Sequence, residues 1–118
     1  MPRVVRSEVV RRLRAIRAEL GLSDAELARR LGVGRTTYLN WETENPSKPV
    51  FPSEEAMAEL CDVLPGLTLD YIYLGKLHSL RTDLAVRLTA REQGLDPLSP
   101  DFRADQVGAA VAARVAPS

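Results

Sequence analysis

Apolar residues recur at intervals of three and four along most of this chain. Most of the segments that show this spacing end at a glycine or a proline. That spacing places the apolar side chains on one face of an α-helix. The alternation of apolar and polar residues that is typical of a β-strand is missing throughout. The pattern therefore predicts an all-α fold of short helices joined by tight turns.

The first two predicted helices have clear start signals. Ser7 can cap a helix over residues 8–20. Ser23 opens the second helix, and Glu26, three residues on, completes a capping box. Gly32 ends the second helix after about two turns, because glycine adopts the left-handed conformation at little cost. We therefore expect the chain to reverse direction at this glycine.

Three more helices follow with similar signals. Residues 35–43 form the third helix, and the proline-rich residues 43–52 are predicted to be a loop. Ser53 caps the fourth helix, and Thr68 caps a short fifth helix over residues 69–74. Five helices are thus expected in the first two thirds of the chain.

These signals divide the chain into four parts. Residues 1–6 form an N-terminal arm, residues 7–75 the five-helix domain, and residues 76–93 an extension helix with leucines spaced by four. Residues 94–118 form a flexible or weakly helical tail. Valines spaced by four in the tail would suit a helix, whereas Gly108 and the scarcity of long side chains favour disorder. We expect the tail to be disordered.

Composition argues against several classes of protein. A chain of 118 residues has room for one domain and little more. One cysteine and one histidine leave no internal disulfide and no zinc site of the Cys/His kind. The apolar runs fall far short of the roughly 20 residues of a membrane helix, and no secretory signal is visible. Since no catalytic constellation or nucleotide-binding loop can be assembled, we expect a protein without cofactor or metal that is not an enzyme. The single cysteine fits a reducing compartment, so we expect the protein to be cytoplasmic.

The neutral net charge hides an asymmetry along the chain. The 16 basic residues balance the 16 acidic ones over the whole sequence. Residues 1–50, however, contain ten basic and six acidic residues, whereas residues 51–118 contain six basic and ten acidic ones. Such a chain can present a basic face to a polyanion while its other end is repelled. An unevenly charged solvated surface is the alternative.

Residues 24–43 meet the requirements of two short helices that cross at a steep angle. The first helix needs a small residue where the second packs against it, which is Ala28. The chain must then turn through a positive φ at Gly32. Inward positions on both helices and in the turn must be apolar. The seven structural positions are Leu27, Ala28, Leu31, Gly32, Val33, Tyr38 and Trp41. Their agreement in register predicts a helix-turn-helix, whose second helix can enter the DNA major groove.

Two segments of the chain carry residues shared with a known family. The first contains Leu22-Ser23, Glu26-Leu27-Ala28, Leu31-Gly32-Val33, Thr37-Tyr38 and Trp41-Glu42, and the second is Leu69-Asp70-Tyr71-Ile72-Tyr73-Leu74-Gly75. Together they resemble the Cro/phage-repressor (XRE-type) helix-turn-helix domains over about residues 8–75. The resemblance implies a compact five-helix lambda-repressor-like domain that binds operator DNA, commonly as a dimer on a two-fold site. It implies a transcriptional regulator of the phage-repressor or antitoxin kind.

The resemblance also implies which side chains face the DNA. The base-reading positions are Arg35, Thr36, Leu39 and Asn40. Arg35 can donate two hydrogen bonds to guanine and Asn40 can pair with adenine, while Leu39 can offer only apolar contact. Thr36 can bond a base edge or touch a thymine methyl group. The positions suited to phosphate are Thr37, Thr43 and Lys48.

Two residues depart from the family pattern. The glutamine expected at the first turn of the second helix is Asp24, whose carboxylate repels DNA unless Arg29 or Arg35 neutralises it. A glycine expected at the end of the third helix is Thr43. Asp24, an exposed Leu39 and the acidic second half leave an alternative open. In that alternative the fold is a protein-interaction module for a toxin, a regulator or polymerase.

Other conspicuous side chains are assigned to the structure. Glu42 is expected to bond inside the fold or to an arginine. The arginines of the first helix flank its apolar stripe, so most are expected on the surface, with one or two reaching phosphate. The extension leucines either cap the domain or pair two chains; they are Leu77, Leu80, Leu84 and Leu88. The valine-spaced tail is a weaker candidate for pairing two chains.

Overall fold

The computed structural model describes residues 5–43 and 52–115, which form seven α-helices and no strand within these ranges. The helices are α1 (Arg6–Leu20), α2 (Asp24–Arg30), α3 (Arg35–Glu42), α4 (Glu54–Val63), α5 (Leu69–Leu74), α6 (Thr82–Glu92) and α7 (Asp105–Val115). The predicted all-α class is confirmed. No helix in the described ranges is long and apolar enough to cross a membrane. Most of the predicted proline-rich loop lies outside the described residues.

Three of the predicted helix caps are present. The hydroxyl of Ser23 accepts a hydrogen bond from the backbone N–H of Glu26 at 3.1 Å, and the Glu26 carboxylate accepts one from the Ser23 N–H at 3.0 Å. Ser53 and Thr68 each accept a bond from the N–H three residues on. Because these bonds satisfy backbone donors that a helix start leaves without a partner, α2, α4 and α5 begin where predicted.

Two helix starts differ from the prediction. α1 begins at Arg6 with Val5 as its N-cap, so Ser7 lies within the first turn and does not cap it. The carbonyl of Val5 accepts the N–H groups of the residues three and four positions later, which extends the helix backward. α6 begins at Thr82, six residues after the start of the extension predicted over residues 76–93, and the hydroxyl of Ser79 before it bonds to the hydroxyl of Thr68, the cap residue of α5.

The tail forms a helix, so the expected disorder is wrong for residues 105–115. Val107 is fully buried against the domain. Arg114 donates to the carbonyl of Gly75 from Nε at 3.1 Å and from Nη2 at 2.8 Å, and its Nη1 pairs with Glu92 at 3.1 Å. These tertiary contacts stabilise α7 despite Gly108, because packing contributes more to a short helix than intrinsic propensity does.

α1 lies at the centre of the fold and packs against α3, α5 and α6. Its inward stripe joins a single core with residues of the neighbouring helices. The four extension leucines belong to this core, since each is at most 8% exposed; they are Leu77, Leu80, Leu84 and Leu88. They therefore cap the domain, and the alternative that they pair two chains is wrong.

Arg12 is part of the interior, whereas most arginines of the first helix are expected on the surface. Its side chain is 3% exposed and donates to the carbonyl of Ile72 at 2.9 Å and to that of Tyr73 at 3.0 Å. Both carbonyls lie in the last turn of α5, where no further helical N–H can reach them. A cation at this end also suits the helix dipole. Arg12 thus attaches α1 to the end of α5.

Candidate nucleic-acid interface

A tight turn joins α2 to α3. Gly32 adopts a φ of +72° and donates its N–H to the carbonyl of Arg29 at 3.1 Å. The N–H of Val33 reaches back to the carbonyl of Ala28 at 3.0 Å. This pair of bonds around a left-handed glycine is a Schellman closure, which ends α2 and turns the chain into α3.

Replacing Gly32 with Ala is expected to lower the free energy of unfolding by about 1 kcal/mol, because a side chain is strained at this positive φ. Space is not the cause, since a Cβ there would meet no atom within 4 Å. Gly108→Ala is the control: Gly108 lies inside α7 in equally open surroundings. There alanine should raise stability by about 0.5–1 kcal/mol. Urea denaturation measures both, and shifts of the same sign would contradict the conformational explanation.

The inner side of α2 and α3 is apolar and packed. Four of the seven motif positions are buried and two are partly buried against the same core; the buried ones are Leu27, Ala28, Tyr38 and Trp41, and the partly buried ones are Leu31 and Val33. The rings of Tyr38 and Trp41 meet edge to face with centroids 5.8 Å apart. This packing fixes which side of α3 turns away from the core.

The carboxyl end of α3 is held by a buried carboxylate. Glu42 is 5% exposed and accepts two bonds from Arg17, from Nε at 2.7 Å and from Nη2 at 3.1 Å, as well as one from the hydroxyl of Tyr38. The bond to Glu42 raises the pKa of Arg17, and burial raises the pKa of the Tyr38 hydroxyl, which therefore stays a donor. Glu42 thus bonds inside the fold and to an arginine, as its assignment to the structure anticipated.

Two further arginines of α1 reach the same end of α3. Arg14 donates to the carbonyl of Glu42 at 2.7 Å, and Arg6 donates from Nη2 to the carbonyls of Asn40 and Thr43, both at 2.9 Å. Cations at a helix carboxyl end satisfy its last carbonyls and suit its dipole. The sequence analysis does not predict these contacts. The signal that was available is the spacing of Arg6, Arg14 and Arg17, which lie eight and three residues apart and therefore share one face of α1.

The outer side of α3 carries the residues predicted to contact DNA. Arg35, Thr36, Thr37, Asn40 and Thr43 are exposed, and Leu39 is half-buried. The Thr43 hydroxyl donates to the carbonyl of Leu39 at 2.7 Å. Lys48, the third residue predicted to contact phosphate, lies outside the described residues. The structure therefore brings six of the seven predicted contact residues together along one helix and the residue after it.

Asp24 and Arg35 form an ion pair between the first residues of α2 and α3. Arg35 donates from Nε to Oδ1 at 2.8 Å and from Nη2 to Oδ2 at 3.4 Å. This contact lowers the pKa of Asp24 and raises the pKa of Arg35, so both groups are charged at neutral pH. Of the two arginines expected to neutralise Asp24, it is therefore Arg35 that pairs with it.

A family model matches this chain over the same helices. A family described as a helix-turn-helix domain matches residues 8–67, about half of the chain, from α1 to just beyond α4. No curated protein and no solved structure matches the chain. Helix-turn-helix domains are DNA-binding modules that place their second helix in the major groove, which agrees with the exposed outer side of α3. The chain belongs to the helix-turn-helix domain family.

Proposed function

We propose that this protein is a transcriptional regulator that binds double-stranded DNA in a sequence-specific manner, with α3 in the major groove. The observation that carries the proposal is the contrast between the two sides of α3. Its inner side and carboxyl end are held by packing and by three arginines, while Arg35, Thr36, Thr37 and Asn40 remain exposed. A rigid helix that presents polar side chains in a fixed order is suited to base recognition.

The exposed side chains have distinct proposed roles. Arg35 donates to O6 and N7 of guanine, and the Asn40 amide pairs with N6 and N7 of adenine. Thr36 bonds a base edge or touches a thymine methyl group, and Leu39 offers its methyl groups to thymine. The proposed phosphate contacts are Thr37, Thr43 and Lys48, which set the register of α3 without reading sequence.

We further propose that the protein acts as a homodimer. The net charge of zero gives little general attraction to DNA, so a single domain would bind weakly. Two copies on half-sites about 34 Å apart would combine their binding free energies on one face of the duplex. Because the extension leucines are buried in each chain, the dimer contact must use another surface.

The alternative of a protein-interaction module is less well supported. Asp24 was one reason for it, but its charge is paired with Arg35 at 2.8 Å. Leu39 was another, but its side chain is half-buried. The acidic residues of α4 alone favour a protein partner, and they are equally consistent with a solvated face turned away from DNA.

Selection from a random pool of duplex oligonucleotides at low salt tests the proposed function. We expect enrichment of one motif with two related half-sites, and an affinity that falls with salt by about 0.9 logarithmic units for each neutralised phosphate. A gel shift on the DNA that neighbours the gene is a rapid second assay, since regulators often bind there. If no motif is enriched, sequence-specific DNA binding is wrong and the protein-partner alternative gains support.

Arg35→Ala is expected to weaken binding to the selected site by roughly 5- to 150-fold and to relax the preference at one base pair. The reason is the loss of a two-bond contact to guanine. Arg81→Ala removes a similarly exposed arginine, which pairs with Asp83 at the start of α6, and serves as the charge control. Titration of the four base-pair variants measures the effect; an equal loss on all four would identify Arg35 as a phosphate contact instead.

A further inference from the structure

The ion pair between Asp24 and Arg35 occupies only one edge of the guanidinium group. Asp24 engages the side edge of Arg35, formed by Nε and Nη2, at 2.8 and 3.4 Å. A guanidinium carries five N–H bonds in one plane, so two parallel donors on Nη1 and Nη2 remain at its far end. The pair is not buried, since the Arg35 side chain is 61% exposed and that of Asp24 is 25% exposed. The far edge of the Arg35 guanidinium is thus available to a ligand in solution.

A guanine in the major groove presents two acceptors, O6 and N7, that match two parallel donors. The far edge of Arg35 can therefore bind guanine while the side edge stays on Asp24. Adenine offers N7 but places an amino donor beside it, and this donor would face the donors of the guanidinium. An arginine held in this orientation consequently distinguishes guanine from adenine by the loss of one bond and by a repulsive contact.

An arginine without such a partner has another choice near DNA. Its flexible side chain can leave a mismatched base and bind the nearest phosphate, where it keeps its charge contact and loses all sequence information. Asp24 opposes this movement. If Arg35 leaves, the carboxylate remains at the start of α2 without its cation, close to the phosphates that approach this motif.

We propose that Asp24 is a specificity-determining residue, which positions Arg35 as a reader of a G·C base pair and prevents it from acting as a phosphate contact. This inference rests on the proposed function, because it assumes that α3 enters the major groove. Asp24 therefore acts differently from a residue that only strengthens binding to DNA. The carboxylate lowers affinity for DNA in general and raises the penalty for the wrong base.

Asp24→Asn tests the inference, because it removes the charge of the side chain with little change in shape. Glu26→Gln is a matched control: it changes the net charge equally, lies two residues away in the first turn of α2, and does not contact Arg35. Glutamine also preserves the capping box, since its carbonyl can accept the Ser23 N–H. Thermal unfolding of both variants verifies that the fold is retained.

The measurement is the affinity of each protein for the selected site and for its three variants at the guanine that depends on Arg35. We expect Asp24→Asn to reduce the preference for that guanine by about tenfold, the loss of one good base contact, and to strengthen binding to the mismatched sites. Glu26→Gln should leave the preference unchanged. In an Arg35→Ala background, Asp24→Asn should have no further effect on the preference at this position.

The outcomes separate the inference from the proposed function. If the wild-type protein selects no motif, the proposed function fails and the inference fails with it. If it selects a motif with guanine at this position, and Asp24→Asn keeps the preference, Asp24 is a charge without influence on reading and only the inference is overturned. If Asp24→Asn binds matched and mismatched sites more tightly by the same factor, the pair merely withholds Arg35 from DNA, and the inference is again wrong.

Discussion

Glu42→Ala is expected to lower the free energy of unfolding by about 2–4 kcal/mol, because it removes the acceptor of three hydrogen bonds at once. The hydroxyl of Tyr38 would be left buried without this partner, and the partly buried guanidinium of Arg17 would lose its counter-charge. Urea denaturation measures the loss. Glu8→Ala is the control. Glu8 is half-exposed, and its carboxylate lies 3.8 Å from Nη1 of Arg12, which is longer than a hydrogen bond, so we expect its loss to cost under about 1 kcal/mol.

The same variant is expected to weaken DNA binding, since Glu42 connects the carboxyl end of α3 to α1. A second substitution identifies the physical cause. In a Tyr38→Phe background no hydroxyl is left without a partner, so Glu42→Ala should cost about 1–2 kcal/mol less than in the wild type. If the cost is the same in both backgrounds, the hydroxyl contributes nothing, and the ion pair with Arg17 accounts for the whole effect.

Arg12→Met is expected to lower the free energy of unfolding by about 3 kcal/mol. Methionine can fill much of the same space, but the carbonyls of Ile72 and Tyr73 would lose the donors that Arg12 supplies at 2.9 and 3.0 Å. The effect should extend to α7, because a second arginine, Arg114 of α7, binds the carbonyl of Gly75, two residues beyond Tyr73. Hydrogen exchange should therefore show faster opening of α5 and α7 together.

Arg11→Met provides the comparison for this prediction. Arg11 is the preceding residue on α1, but its side chain is 53% exposed and its only described ion pair, with Glu92, has a separation of 3.5 Å. Arg11 is exposed, and Glu92 keeps its closer bonds to Arg114 and Tyr71, so a loss below about 1 kcal/mol is expected. Equal losses for the two arginines would contradict the assignment of Arg12 to the interior.

Local signals predicted most of the helix boundaries. The capping box of Ser23 and Glu26 and the glycine stop at Gly32 depend on residues within a few positions of one another, and both are present in the structure. Where the local signal was ambiguous, the prediction failed. Ser7 is a suitable cap residue, but the bonds to the Val5 carbonyl begin α1 two residues earlier, at Arg6, and leave Ser7 inside the helix.

The candidate site was predictable to a similar extent. Periodicity and the resemblance indicated that Arg35 and Asn40 lie on the outer side of α3. Both side chains are exposed in the structure. The sequence leaves Arg29 and Arg35 as the arginines that could neutralise Asp24, and only the tertiary structure shows that Arg35 does so. The sequence likewise did not reveal that three arginines of α1 hold the carboxyl end of α3, because each contact joins residues at least 25 positions apart.

By itself, the sequence determined the all-α class, the glycine turn between α2 and α3, and the set of side chains that an exposed second helix would carry. Those features depend on spacing within one or two helical turns, where local geometry decides. The tertiary structure alone decided that α7 forms, that Arg12 is interior, and that Asp24 engages one edge of Arg35. Each of these depends on segments distant in the chain, and the bonds and buried surface formed when they meet outweigh the local preferences that the sequence displays.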